Sequence, residues 1–159
     1  MTAAADQLSL EEFAALNERR ARSYDLLARL YAKEVDQALL DEMHATRFPA
    51  STGSPEADEG MRLMAGYLSN VWEGTLQELA VDYVRCFIGS GMDAFSAAYP
   101  FESVYTSPKR LMMQDARDEV LVIYRAAGLE KSESWGDGED HVALELEFME
   151  VLGSRALEA

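Results

Sequence analysis

Near the C-terminus, His141 and Glu145 lie one helical turn apart with Asp140 beside them, the constellation in this sequence best suited to chemistry. An imidazole and a carboxylate at i, i+4 can share a charged hydrogen bond, pass a proton or hold a cation together. A metal centre there would draw on Asp140, His141 and Glu145. The chain offers few further donors, since His44 and His141 are its histidines, Cys86 its one cysteine, and no His-Glu-x-x-His pattern occurs. Asp140 and Glu145 could instead be the paired carboxylates of a hydrolase, although nothing marks a substrate cleft. The G-x-S-x-G elbow, the P-loop and G-x-G-x-x-G are absent, and Gly89-Ser90-Gly91 lacks the strand and lysine of a phosphate loop. The plainer reading is a buried His141–Glu145 pair that satisfies only itself. Cys86, with no local base, reads as a small buried hydrophobe.

The elements that must position these residues are helices. The chain has 23 alanines and 19 leucines against 9 valines and 2 isoleucines, a balance that favours helix over strand. Ser9-Leu10-Glu11-Glu12 is a capping box, and Phe13, Leu16, Tyr24, Leu27 and Tyr31 then recur as one apolar stripe on a long first helix. A short second helix is expected over Val35 to His44, with Leu39, Leu40 and Met43 inward. Ser54-Pro55 opens a third with a broad face of Met61, Met64, Tyr67, Leu68, Val71 and Trp72. Thr75-Leu76-Gln77-Glu78 reads as a second capping box, starting a helix that carries Leu79, Tyr83, Cys86 and Phe87.

Ile88 to Pro108 has no helical period, yet holds Phe95, Tyr99, Phe101 and Tyr105, so it reads as a long aromatic loop, either a binding segment or one packed into the core. A fifth helix is expected from Leu111 to Ala127, stopped by Gly128. After a polar connection over Glu130 to Gly138, the last helix begins near Glu139. On it Ala143, Glu147, Glu150 and Ser154 form the expected solvent face, with Glu145 on the opposite, buried side. The sum is an all-α fold, one helical-bundle domain over 1–159, with residues 1–8 expected to be disordered.

Composition narrows the function. With 14 basic and 29 acidic residues the formal net charge is -15, which repels phosphate backbones and anionic headgroups and favours a cationic partner. The start, MTAAADQLSLEE, lacks the pattern of a secretory signal, and no apolar run approaches bilayer length. The expectation is a cytoplasmic protein without stable membrane insertion or nucleic-acid binding. Met61, Met64, Met112, Met113 and Met149, spread over three predicted helices, suit either core filling or a groove for apolar peptides.

Three segments then occur in order: DYVRCFIG (Asp82 to Gly89), YPFESVY (Tyr99 to Tyr105) and GEDHVALELEFM (Gly138 to Met149), with RAAGL (Arg125 to Leu129) before the last. Together they resemble the TorD/DmsD/NarJ-like redox-enzyme maturation chaperones, over roughly Ser23 to Leu152. The resemblance implies an all-helical chaperone, not an enzyme and without a cofactor of its own. Such a chaperone binds the twin-arginine leader of an apo molybdoenzyme and delays export until cofactor insertion. It assigns Tyr83 and Phe87 to the aromatic positions before the loop, and Pro100, Glu102, Ser103 and Tyr105 to the proline–glutamate–serine–tyrosine segment, with Tyr99 beside it. Asp140 and His141 fall on the acidic-histidine pair of the leader-binding region, and Glu145 on the acid one turn later. Two departures stand out. The family's Glu-Pro-x-Asp-His becomes Asp137-Gly138-Glu139-Asp140-His141, and the helices that follow EFM in the family are missing here. Leu144, Phe148, Val151 and Leu152 therefore await cover, as in a truncated product or a domain-swapped homodimer.

In this reading Glu102 and Asp140 meet the leader's arginines, while Phe87, Tyr99, Phe101, Tyr105 and the methionines receive its apolar stretch. Reversing the charge at Asp140 is expected to weaken leader binding and leave helical content unchanged. Two alternatives stay open: a small acidic helical metal-binding protein or enzyme centred on His141 and Glu145, and a generic module for apolar helices.

Overall fold

The computed structural model describes residues 8–48, 51–89 and 97–158. The reading of residues 1–8 as disordered and the aromatic Phe95 fall, Leu8 apart, outside those residues. Seven α-helices follow in order: α1 Leu10–Ala32, α2 Gln37–Ala45, α3 Pro55–Leu68, α4 Thr75–Tyr83, α5 Glu102–Thr106, α6 Asp115–Ala126 and α7 Val142–Glu158. A π-helical turn, Val84–Ile88, extends α4. Among the described residues extended pairing is confined to one isolated antiparallel bridge, Phe101 with His141. The all-α expectation holds.

The described residues group into two compact units. The first joins the segment up to Lys33 with the segment from Tyr99 onward; the second is Glu34–Ala98. In the first, α1 and α7 pack along their lengths. Their seam uses small side chains: Asn17, Ala21 and Ala28 are buried on α1, and Ala21 Cβ lies 3.5 Å from where a side chain on Gly153 would begin. Phe13 and Leu27, assigned to the core stripe by periodicity, are 44% and 42% exposed. The buried positions of α1 are instead Asn17, Ala21 and Ala28, where alanine lets the backbones approach. Ala143, expected on the solvent side, is buried.

In the second unit, Asp36 caps α2 by accepting from the Leu39 amide at 2.9 Å, and Leu39, Leu40 and Met43 are buried as expected. Ser54 caps α3 with Pro55 in its first turn. The predicted box at Thr75 does not form. Gly74 is the residue before α4, the Thr75 hydroxyl accepts from the Trp72 amide at 2.9 Å, and Glu78 takes the Trp72 indole N–H at 3.1 Å. The Trp72 ring lies over Gly74, where an added Cβ would collide with the six-membered ring of the indole. Gly74→Ala is therefore expected to evict the indole from Glu78. The result would be a shifted Trp emission spectrum and a stability loss of about 1 kcal/mol by chemical denaturation; an unchanged spectrum would refute this packing.

Candidate functional site

The first unit gathers most of the residues singled out from sequence at one junction, where the starts of α5, α6 and α7 meet. The Phe101–His141 bridge aligns two chain segments: the Glu102 amide donates to the Asp140 carbonyl and the Val142 amide to the Pro100 carbonyl, both at 2.9 Å. Asp140 is wholly buried, and its Oδ2 accepts from the Ser103 amide at 2.9 Å. Asp140 thus takes the first two orphan amides of α5, one with its carbonyl and one with its carboxylate. Ser103, equally buried, turns its Oγ toward the Gln114 amide, 3.1 Å away at the entry to α6. His141 does the same for α7: its Nδ1 accepts from the Ala143 amide at 3.1 Å. Two adjacent residues, Asp140 and His141, therefore cap two helices, and Ser103 ties in a third.

His141 stays neutral for this role. Burial pushes its pKa down, against the opposing charges of Asp137 and Asp140. Its ring is held edge-on between Phe101 and Trp135, with centroids 4.9 and 5.1 Å away. The segment before it is clamped by Glu139, whose carboxylate pairs with Arg117 Nε and, at 3.3 Å, with Lys131 Nζ. Burial raises the Glu139 pKa, but the hydrogen bonds from Arg117 and Lys131 outweigh it and hold it below the usual carboxylate range. Glu139→Ala leaves Arg117 without its buried partner. The expected cost is about 2 kcal/mol, read as a lowered denaturation midpoint with the slope unchanged.

The predicted His141–Glu145 bond does not form. Nδ1 of the ring is committed to the Ala143 amide. Glu145 Oε1 is buried without a hydrogen-bond partner, as is Asp140 Oδ1. Desolvation first, then the charges of Glu102 and Asp140, push the Glu145 pKa up to about 7. Burial first, then the charges of Glu145, Asp140, Glu102 and Glu147, raise the Tyr124 phenol, which donates to the Glu139 carbonyl. The arrangement is an acid cluster with no basic side chain paired to Glu145 among the described residues. Glu145 in such a site favours a cationic partner or a retained proton.

Of the other residues singled out, Tyr105 is 64% exposed on α5, while Tyr99 and Pro100 are half-buried. Tyr83 and Phe87 belong to the second unit, where their rings meet edge-on at 5.2 Å across the π turn. Cys86 is exposed, not buried as its sequence context suggested. Sequence reasoning missed Gln114, Arg117 and Trp135 as parts of the junction; each acts at long range, and none has a local spacing that would reveal it.

Comparison with known proteins decides the family. Residues 54–159 match the family described as nitrate reductase delta subunit. The chain belongs to that family, and with it to the TorD-like redox-enzyme maturation chaperones. The chaperone protein TorD of Photobacterium profundum is 27% identical over 146 residues, 88% of this chain and 66% of that protein. Those of Ferrimonas balearica and Vibrio cholerae are 29% and 26% identical, covering 91% and 92% of this chain and 68% of each relative. This TorD-like chain thus spans about two thirds of the length of the curated relatives it matches. These relatives are named as chaperone proteins. No solved structure matches the chain significantly. No helix among the described residues is long and apolar enough to cross a membrane.

Proposed function

We propose that this chain is a chaperone of molybdoenzyme maturation that binds the twin-arginine leader of its apo-enzyme in the cytoplasm and holds back export until the cofactor is in place. Family membership supports the chaperone role. The observation that supports the leader reading is Glu145, whose Oε1 is buried without a partner and which feels the charges of Glu102 and Asp140. A guanidinium is the complement of such a site, since its fork can serve two carboxylates at once. Glu102 and Glu145 are the half-buried acids of the three. Asp140, fully buried, acts by holding α5 in register beneath them. Tyr99, Pro100 and Tyr105 flank the cluster on the same segment and offer apolar surface to the leader's hydrophobic stretch beyond the arginines.

The metal-centred alternative finds no support in the geometry: among the described residues no group of three His, Cys, Asp or Glu is arranged to hold an ion. Calorimetric titration with twin-arginine leader peptides, each beside its double-lysine version, tests the proposal. Binding in the micromolar range that weakens about tenfold or more with lysine is expected, because lysine cannot bridge two carboxylates as a fork does. Equal binding of both versions would mean a generic apolar groove, and absence of binding across the panel would remove the leader.

A further inference from the structure

We infer that Met113 is an oxidation site: a peroxide that converts its thioether to the sulfoxide loosens the junction of α5, α6 and α7. The inference rests on the packing around Gly138 and stands whether or not a leader binds. Met113 lies in the turn before α6 with φ 59, and its carbonyl accepts from the Gln114 side chain at 3.1 Å. The residue is 57% exposed, so a small oxidant reaches it from solvent. Its sulfur nevertheless packs on the junction. A Cβ added to the buried Gly138 would lie 3.5 Å from Met113 Sδ, 3.6 Å from its Cε and 2.9 Å from Asp140 Oδ1. The thioether therefore covers the bare face of Gly138 beside the Asp140 carboxylate.

What lies under that cover holds the junction together. The Gly138 carbonyl accepts from the His141 amide at 3.3 Å and from the Trp135 indole N–H at 3.4 Å. Asp140 Oδ2 caps α5 through the Ser103 amide, while Oδ1 is buried without a partner. A thioether suits this position because it fills space and demands no hydrogen bond. Oxidation changes that. The sulfur lone pair attacks one oxygen of hydrogen peroxide, an S–O bond forms, the O–O bond breaks, and the other oxygen leaves as water with both protons. Sulfur loses two electrons and the peroxide gains them. Facing inward, the new oxygen meets Asp140 Oδ1, a second acceptor, and the two repel. Facing outward, it draws the side chain off Gly138 and admits water to a carboxylate that caps a helix.

The indole N–H signal of Trp135 in a nitrogen-15 NMR spectrum reads the junction, because that N–H bonds the Gly138 carbonyl. Hydrogen peroxide is the probe. Tandem mass spectrometry of the Leu111–Arg117 peptide separates sulfoxide at Met113 from sulfoxide at Met112, its 49% exposed neighbour. The Trp135 signal should shift and the urea midpoint should fall in step with the Met113 sulfoxide fraction, and methionine sulfoxide reductases should restore both. Met113→Leu keeps the bulk without the sulfur, so peroxide should move neither readout. Oxidation at Cys86 or at other methionines is common to parent and variant and cancels in the comparison. Met113→Gln, polar and of similar length, should show the shifted signal and lowered midpoint without peroxide. Full sulfoxide at Met113 with the Trp135 signal and the midpoint unmoved would overturn the inference. So would a Met113→Leu protein that responds like the parent, or a Met113 that stays reduced while Met112 is oxidised. Leader binding enters none of these readouts, so the two ideas fail separately.

Discussion

Asp140→Ala should lower stability by about 2–4 kcal/mol, the largest effect expected of any single carboxylate in the chain. The substitution removes the acceptor that serves the Ser103 amide in a site with no access to water, so a buried donor is left without a partner. Ser103 in turn holds Gln114, so the entry to α6 loosens with α5. Asp140→Asn keeps an acceptor oxygen and should cost less than half as much. Asp140→Lys places a cation where nothing can solvate it and should unfold the first unit. This reverses the expectation from sequence that a charge reversal here would spare the helices. Circular dichroism with urea denaturation of the three variants gives the ranking Asn, Ala, Lys. Retained helix and an unaltered midpoint in the lysine variant would show that Asp140 is no cap.

Glu145→Gln should do the opposite at neutral pH and above. The folded-state pKa of Glu145 is raised from 4.5 to about 7, so the native chain holds this proton more tightly than the unfolded chain. The stability associated with the neutral form is complete below about pH 4.5 and is lost as pH rises through 7. Above that the ionised group weighs against folding by on the order of 2 kcal/mol. Glutamine carries no such charge, so the variant should melt higher than the parent at pH 8 and level with it near pH 5. Leader binding should run the other way. A guanidinium favours ionised Glu145, so affinity should increase between pH 6 and 8 in the parent and stay flat in the glutamine variant. A flat profile in both would exclude Glu145 from the leader's contacts. A residue that weakens the free protein and strengthens the complex is what a binding site under selection for function would keep.

How much of this was legible in the sequence depends on the range of each interaction. Ser9 with Glu12, Ser54 with Pro55, and Gly128 with φ 71 each act within a few residues, and all three marked helix ends correctly. Leu111 looked like the start of a helix because its neighbours are good helix formers. Yet Arg110 and Met113 adopt φ 51 and 59, and α6 begins only at Asp115. The side chain of Gln114 donates to the carbonyls of Met112 and Met113 and holds that strained turn. The α1 seam was misplaced because periodicity weights Phe13 and Leu27 above alanine, while close packing selects Ala21 and Ala28. The junction was found by residue type but not by role. Asp140 and Ser103 are 37 positions apart, and no local pattern reveals that one caps the helix carrying the other. Glu145 was correctly placed away from the solvent side, but its partner was misread because the imidazole nitrogen was already taken by the Ala143 amide.

The pairing of α1 with α7 also sets a timetable for synthesis. The first helix leaves the ribosome well before the one that covers its seam, since about 110 residues separate Ala32 from Val142. At roughly 5–20 residues per second, α1 waits on the order of ten seconds for its partner. The second unit, contiguous over Glu34–Ala98, can collapse during that interval, whereas the first must close a long loop before its contacts are rewarded. The chain therefore spends part of its own early life with a helix uncovered. Its acidic surface, by keeping like chains apart, protects it during that wait.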